Sequence, residues 1–147
     1  MPVKINDMMR HVLGSAFSDG VPPLVGTVMK DGRPQISPKG TLAVYDDEHL
    51  CFWERSFRTS YGALVDNPKV VVYYHNQARA QEMGIRNGAM RFHGEARLAN
   101  EGAERDRIWD LSPTAEQQRD PERKGTGFII RVELIEDLAG VVLMRRD

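Results

Sequence analysis

Cysteine is nearly absent. Cys51 stands alone among 147 residues, so the chain can form no intramolecular disulfide and assemble no cysteine-rich zinc centre. That usage suits a reducing compartment, and a cytoplasmic location is expected. Long apolar runs are missing too: none approaches the roughly 20 residues that a helix needs to cross a bilayer. The opening MPVKINDMMRHVLGSAF lacks the continuous apolar centre of a secretory signal, and no membrane partner is expected. Net charge is scarce, with 20 Lys and Arg against 21 Asp and Glu for a formal −1. A neutral total removes the global basic field of a nucleic-acid binder, though not every local patch. The histidines His11, His49, His75 and His93 follow no metal-ligand spacing, and neither HExxH nor a paired carboxylate motif occurs. Ser15 and Ser18 lack a GxSxG setting. Metal-dependent and serine hydrolase chemistry therefore has no sequence support.

What remains is an ordinary globular composition, 41% hydrophobic and 28% charged. The length suits one domain over residues 1–147 with a core that needs no staples. Asn6 to Phe17 reads as an amphipathic helix capped by Asn6 or Asp7, with Met8, Met9, Val12 and Leu13 as its apolar stripe. Leu24 to Met29 is a strand, Lys30 to Arg33 a tight turn, and Pro34 to about Tyr45 the returning strand. After the turn Asp46-Asp47-Glu48, a third strand covers His49 to Trp53. Arg58 to Asp66 reads as a helix ended by Asn67-Pro68. KVVVYYH, Lys69 to His75, is the strongest strand signal.

Asn76 to Gly88 reads as a loop or hairpin arm. Ala89 to Ala99 alternates polar and apolar, with Gly94 marking a bulge or bend. Glu101 to Leu111 is a helix with Ile108, Trp109 and Leu111 toward the core, and Ser112 to Lys124 a mobile surface excursion. Gly125 to Glu136 and Asp137 to Met144 finish the chain as strands. Most connections are too short for parallel crossovers, which disfavours a doubly wound α/β fold. The expected fold is mainly β, a split β-barrel of roughly six or seven antiparallel strands of Greek-key type with flanking helices, because closure removes exposed edges.

Two polar sets carry the candidate chemistry, both between Gly32 and Pro68. Arg55, Arg58, Thr59 and Ser60 put cations and hydroxyls at the first turn of a helix, where unpaired backbone N–H groups suit a phosphate. Alone, RSFRTS fits a helix cap with solvated arginines better. Ser37-Pro38-Lys39-Gly40 is the second set. A mid-strand proline marks an edge, a bulge or a ligand, and Gly40 would let a flat ring approach the backbone. A bulged edge with an exposed lysine fits as well. Trp53 and Tyr61 read as core or rim aromatics, and Cys51 as a buried inert thiol. Arg91 and His93 share one face of their strand, where Arg91 reaches a ligand, a partner subunit or a salt bridge.

The order strand, DGRPQISPKG, strand, FWERSFRTSYGALVDNPKVVVYY, with MRFHGEARL later, resembles the pyridoxamine 5′-phosphate oxidase-like family of flavin-binding split β-barrels. The resemblance runs from about Leu24 to Leu98 and more weakly to the end. It implies FMN held at the interface of a homodimer. Ser37, Pro38, Lys39, Gly40 and Thr41 would contact the ring and ribityl chain, and Lys39 would stabilise the anionic reduced flavin. Trp53, Glu54, Arg55 and Ser56, with Arg58, Thr59 and Ser60, would line the ring edge and hold the phosphate, with Arg91 nearby. The true oxidase has Ser-Arg-Lys where this chain has Arg58-Thr59-Ser60. Its paired arginine and lysine are Ser37 and Leu42 here, so the resemblance implies a general flavin-reductase branch acting on a small molecule. A non-catalytic FMN carrier, or a barrel using a deazaflavin or haem, is the alternative.

Overall fold

The computed structural model describes residues 1–147. In chain order the elements are helix α1 (Asp7–Ser15), strands β1 (Leu24–Val28), β2 (Pro34–Pro38), β3 (Ala43–Val44) and β4 (His49–Glu54), helix α2 (Thr59–Asp66), and strand β5 (Lys69–His75). Helix α3 (Ala80–Met83), strand β6 (Ala89–Ala99), helices α4 (Gly102–Leu111) and α5 (Thr114–Gln117), and strands β7 (Thr126–Asp137) and β8 (Val142–Arg145) follow. No helix is long and apolar enough to cross a membrane.

All strand pairs are antiparallel, in the order β2-β1-β5-β6-β7-β4-β3. β7 is 12 residues long. Residues 126–131 pair with β4, and residues 134–136 pair with β8 on the same edge. The curled sheet forms the split barrel expected from the sequence, with seven strands along its path and the short β8 paired to β7 off it. Alternation sends Val25, Phe52, Val72, Phe92, Phe128 and Ile130 inward to one buried core. α1 adds Met9, Val12 and Leu13 to that core, and its Asn6 cap accepts from the Met9 N–H at 3.0 Å. α4 covers the outer face of β4 and β7, where Ile108 seals a smaller cluster of Cys51, Trp53, Ala99 and Ile129.

Three sequence expectations are corrected. The strand expected from Pro34 to Tyr45 breaks into β2 and β3, because Pro38 has no N–H to donate and the chain turns at Lys39, whose carbonyl accepts from the Leu42 N–H. The segment 76–88 is helical turns: the Asn76 N–H closes onto the Gly88 carbonyl, Gly84 caps α3 at φ 66°, and the Arg79 fork grips Asp19 at 2.6 Å. The excursion 112–124 contains α5 and is tied down by Asp120, which leaves only Leu111 of the α4 stripe exposed.

At His93/Gly94 the β6–β7 register shifts by one residue. A side chain on Gly94 would collide with the Arg131 carbonyl, so the bulge needs glycine for space.

Candidate functional site: a cationic helix start above a buried ion pair

β4 runs outward to Glu54, and the chain then turns through residues 55–58 into α2. That helix packs against β1, β2 and β6 and buries Ser60, Ala63 and Leu64. It has no side-chain cap. The N–H groups of Thr59, Ser60 and Tyr61 meet no acceptor within the chain, which is the condition for an anion to be welcome there. Arg55, Ser56, Arg58 and Thr59 are exposed around this start, and the Ser56 Oγ accepts from the Arg58 N–H at 3.2 Å. Ser60 is wholly buried, and its hydroxyl has no partner. A buried orphan hydroxyl is costly and rare.

The second polar set comes to the same end of the barrel. Lys39 Nζ forms an ion pair with Glu54 Oε2 at 2.7 Å. The other Glu54 oxygen accepts from the Ser56 N–H at 3.3 Å. Thr41 Oγ1 joins the two strands by donating to the Trp53 carbonyl at 2.8 Å and accepting from the Trp53 N–H at 3.0 Å. Thr126, opposite Glu54 across the β4–β7 ladder, presents a second buried hydroxyl without a partner. On β2, Ser37 Oγ accepts from the Gln35 amide, which in turn accepts from Thr27 Oγ1 at 2.7 Å. The polar residues before Thr41 and after Trp53 thus meet through Lys39, Glu54 and Ser56, while α2 lies against β2.

Several candidate residues have partners within the chain. Lys39 is neutralised by Glu54 and is no free cation. Above Gly40 there is no clear space: a methyl group there would come within 2.7 Å of Glu116 Oε1 and 3.1 Å of the Phe17 ring. Trp53 is buried on the opposite face of β4, edge-to-face with Trp109 at 5.0 Å and under the Arg105 guanidinium, and its indole N–H donates to Asp120 at 2.9 Å. Arg91 lies on β6, three ladder steps from Pro38 through Tyr73 and Leu24. It donates to Glu136 at 2.8 Å and to the Leu138 carbonyl at 3.0 Å, while His93 meets the same Glu136 oxygen at 2.9 Å. The Arg91 and His93 hydrogen bonds hold the Glu136 carboxyl below its ordinary range against the opposing effect of burial.

Sequence reasoning missed Asp120 and Glu116. Asp120 accepts from Trp53 and from the Lys124 and Gly125 N–H groups, and so fastens the 112–125 segment beside the site. Its only sequence signal was an Asp-Pro pair in a polar stretch. Glu116 carried none.

The family model of pyridoxamine 5′-phosphate oxidase matches residues 22–136. No curated protein gives a significant match. Among solved structures, HupZ of Group A Streptococcus is 25% identical over 94% of this chain and 97% of its own, with a TM-score of 0.69. An FMN-binding protein from Syntrophomonas wolfei shares the fold at 14% identity, covering 88% of this chain and 85% of its own, TM-score 0.62. A protein named F420 reductase shares it at 21% identity, over 78% and 87%, TM-score 0.57. With most of its length inside the family match and its strands curled into one antiparallel split-barrel sheet, this chain belongs to the pyridoxamine 5′-phosphate oxidase family.

Proposed function

We propose that the chain binds FMN and serves as a flavin-dependent oxidoreductase for a small molecule. The observation that carries this reading is the uncapped start of α2, with its free N–H groups, the orphan Ser60 hydroxyl and the exposed Arg55 and Arg58. Donors of that kind fit a phosphate monoester, since charge-assisted hydrogen bonds are about twice as strong as neutral ones. Arg58 and Arg55 would hold the phosphate, and Thr59 and Ser60 would add hydroxyl donors. A bound flavin supplies hydride or electron transfer. The protein's own part is to bind and orient it and to exclude water. With Glu116 and Phe17 packed over Gly40, that stretch of backbone would stay covered beside a bound flavin.

Titration of the apo-protein with FMN, followed by flavin fluorescence, tests the reading. Arg58→Ala is expected to weaken binding by about 1–3 kcal/mol, roughly fivefold to 150-fold. Wild-type protein that binds no FMN sinks it. The solved F420 reductase of the same fold favours a deazaflavin as the second reading, and titration with F420 under the same conditions separates the two. Steady oxidation of NADH or NADPH by the holoprotein separates an enzyme from a carrier.

A further inference from the structure

The bulge between β6 and β7 builds one end of a groove on the outside of the sheet. Ile36, Gly26, Val71 and His93 sit abreast on β2, β1, β5 and β6, and residues paired across a sheet face the same way. Val70 and Val72 are buried, so this row points outward. It forms the floor of an open cavity of about 710 Å³. None of Arg55, Arg58, Thr59 and Ser60 lines that cavity, so it is separate from the start of α2.

The groove is apolar along its floor and bare in its middle. A side chain at Gly26 would come within 2.9 Å of Val71 Cγ1, so glycine keeps the centre open. Ile36, 64% exposed, stands at one end. Three ladder steps of about 4.8 Å separate Ile36 from His93, which is room for a fused pair of aromatic rings lying flat. The far end is polar. At the bulge Gly94 pairs with Val132 and His93 with Leu134, which leaves Glu133 as the extra residue. Val132 and Ile135 are both buried while Glu133 and Leu134 between them are not, the re-aiming that a bulge produces. Glu133 thereby joins His93 on the wall of the groove.

These two side chains offer acceptors. His93 Nε2 donates to Glu136 Oε1 at 2.9 Å, and Arg91 holds the same oxygen at 2.8 Å. A carboxylate on Nε2 keeps the imidazole proton there and leaves Nδ1 with a lone pair. Glu133 forms no ion pair: its charge favours that of Lys69, but Lys69 closes onto Glu95 at 2.7 Å. With Lys69 and Arg91 both answered, the uncompensated charge at this end is negative.

We infer that the groove is a binding site for a flat aromatic cation, of the aryl amidine or protonated amino-heterocycle class. Its rings lie over Gly26 and Val71, and its N–H groups donate to His93 Nδ1 and to the Glu133 carboxylate. An aromatic carboxylate of the same shape is rejected, because it meets Glu133 and finds no free cation. The site does not depend on the flavin reading.

Isothermal titration calorimetry with 2-naphthamidine and 2-naphthoate, which share their rings and differ in charge, tests it. The wild-type chain is expected to bind the amidine at least about tenfold more tightly than the carboxylate. Glu133→Gln is expected to weaken amidine binding about tenfold, and His93→Phe about fivefold. Glu101→Gln, exposed beside α4 and outside the groove, should bind as wild type does. No amidine binding, or equal affinity for the two probes, overturns the proposal. So does an unchanged affinity in Glu133→Gln or in a folded His93→Phe, or an equal loss in Glu101→Gln, which would mark diffuse attraction to acidic surface. An affinity that falls as protein concentration rises also overturns it, because a second copy of the chain would then cover the groove. If His93→Phe fails to fold, Glu133→Gln decides.

Discussion

Lys39 Nζ stands 2.7 Å from Glu54 Oε2, with 12% and 8% of the two side chains exposed. The pair joins the turn after β2 to the end of β4 and fixes the floor beneath the start of α2. An ion pair this deep gives up most of its hydration, so its net worth is small while both partners are present. Losing one partner is another matter.

Lys39→Met strands the Glu54 carboxylate and is expected to cost about 3–5 kcal/mol in urea unfolding, with Glu54→Leu costing a similar amount. The double variant Lys39→Met/Glu54→Leu should recover most of that loss, because two apolar side chains need no hydration. Additive losses in the double variant would show that the two side chains act separately.

Asp120 ties stability to pH. Burial works to raise its pKa, but the hydrogen bonds from the Trp53 indole and from the Gly125 and Lys124 N–H groups, with the charge of Arg55, outweigh it and hold the carboxyl below 3.8. A carboxyl depressed in the folded state contributes stability that is complete above its unfolded pKa and is lost as pH falls through the folded value. Asp120→Ala is therefore expected to cost about 2–3 kcal/mol at neutral pH. The gap from wild type should narrow below about pH 4. Both tryptophans, Trp53 and Trp109, lie in this cluster, so their fluorescence reports the transition directly. A gap that is constant from pH 7 to pH 3 would contradict the assignment.

Two glycines should respond to alanine with opposite signs. Gly94→Ala drives a methyl group into the Arg131 carbonyl at the β6–β7 bulge and is expected to cost at least about 2 kcal/mol. Gly62 lies in α2 with open space where a Cβ would point. Alanine there should stabilise by about 0.5–1 kcal/mol through helix propensity. Thermal melts of the two variants beside wild type suffice to check both signs.

Cys51 is fully buried beneath α4, and burial pushes its thiol up to about 12. In native protein it should resist a thiol reagent such as DTNB, and it should react at once in denaturant. Rapid labelling of the native state would mean that α4 lifts readily from β4.

Much of the fold was legible because the strands bury one face and so alternate with period two. KVVVYYH, LCFW and the long Ala89 to Ala99 run each announced themselves that way. Gly94 marked the bulge as a strand-interior glycine does. The Asn6 cap was equally local. The break between β2 and β3 was less legible, because it depends on Thr41 reaching a strand 12 residues away as much as on Pro38. The ordered excursion was illegible. Asp120 looks like any polar residue until folding brings Trp53 to it across 67 positions.

By itself the sequence determined the barrel class, the Asn6 helix cap and the two polar sets between Gly32 and Pro68, since these follow from periodicity, backbone chemistry and short spacing. Only the tertiary structure decided that Lys39 answers to Glu54, that Glu116 and Phe17 close over Gly40, and that Trp53 turns away from the site. Those outcomes depend on which distant side chains arrive at the same place, and burial then makes each partnership obligatory by penalising any polar group left alone.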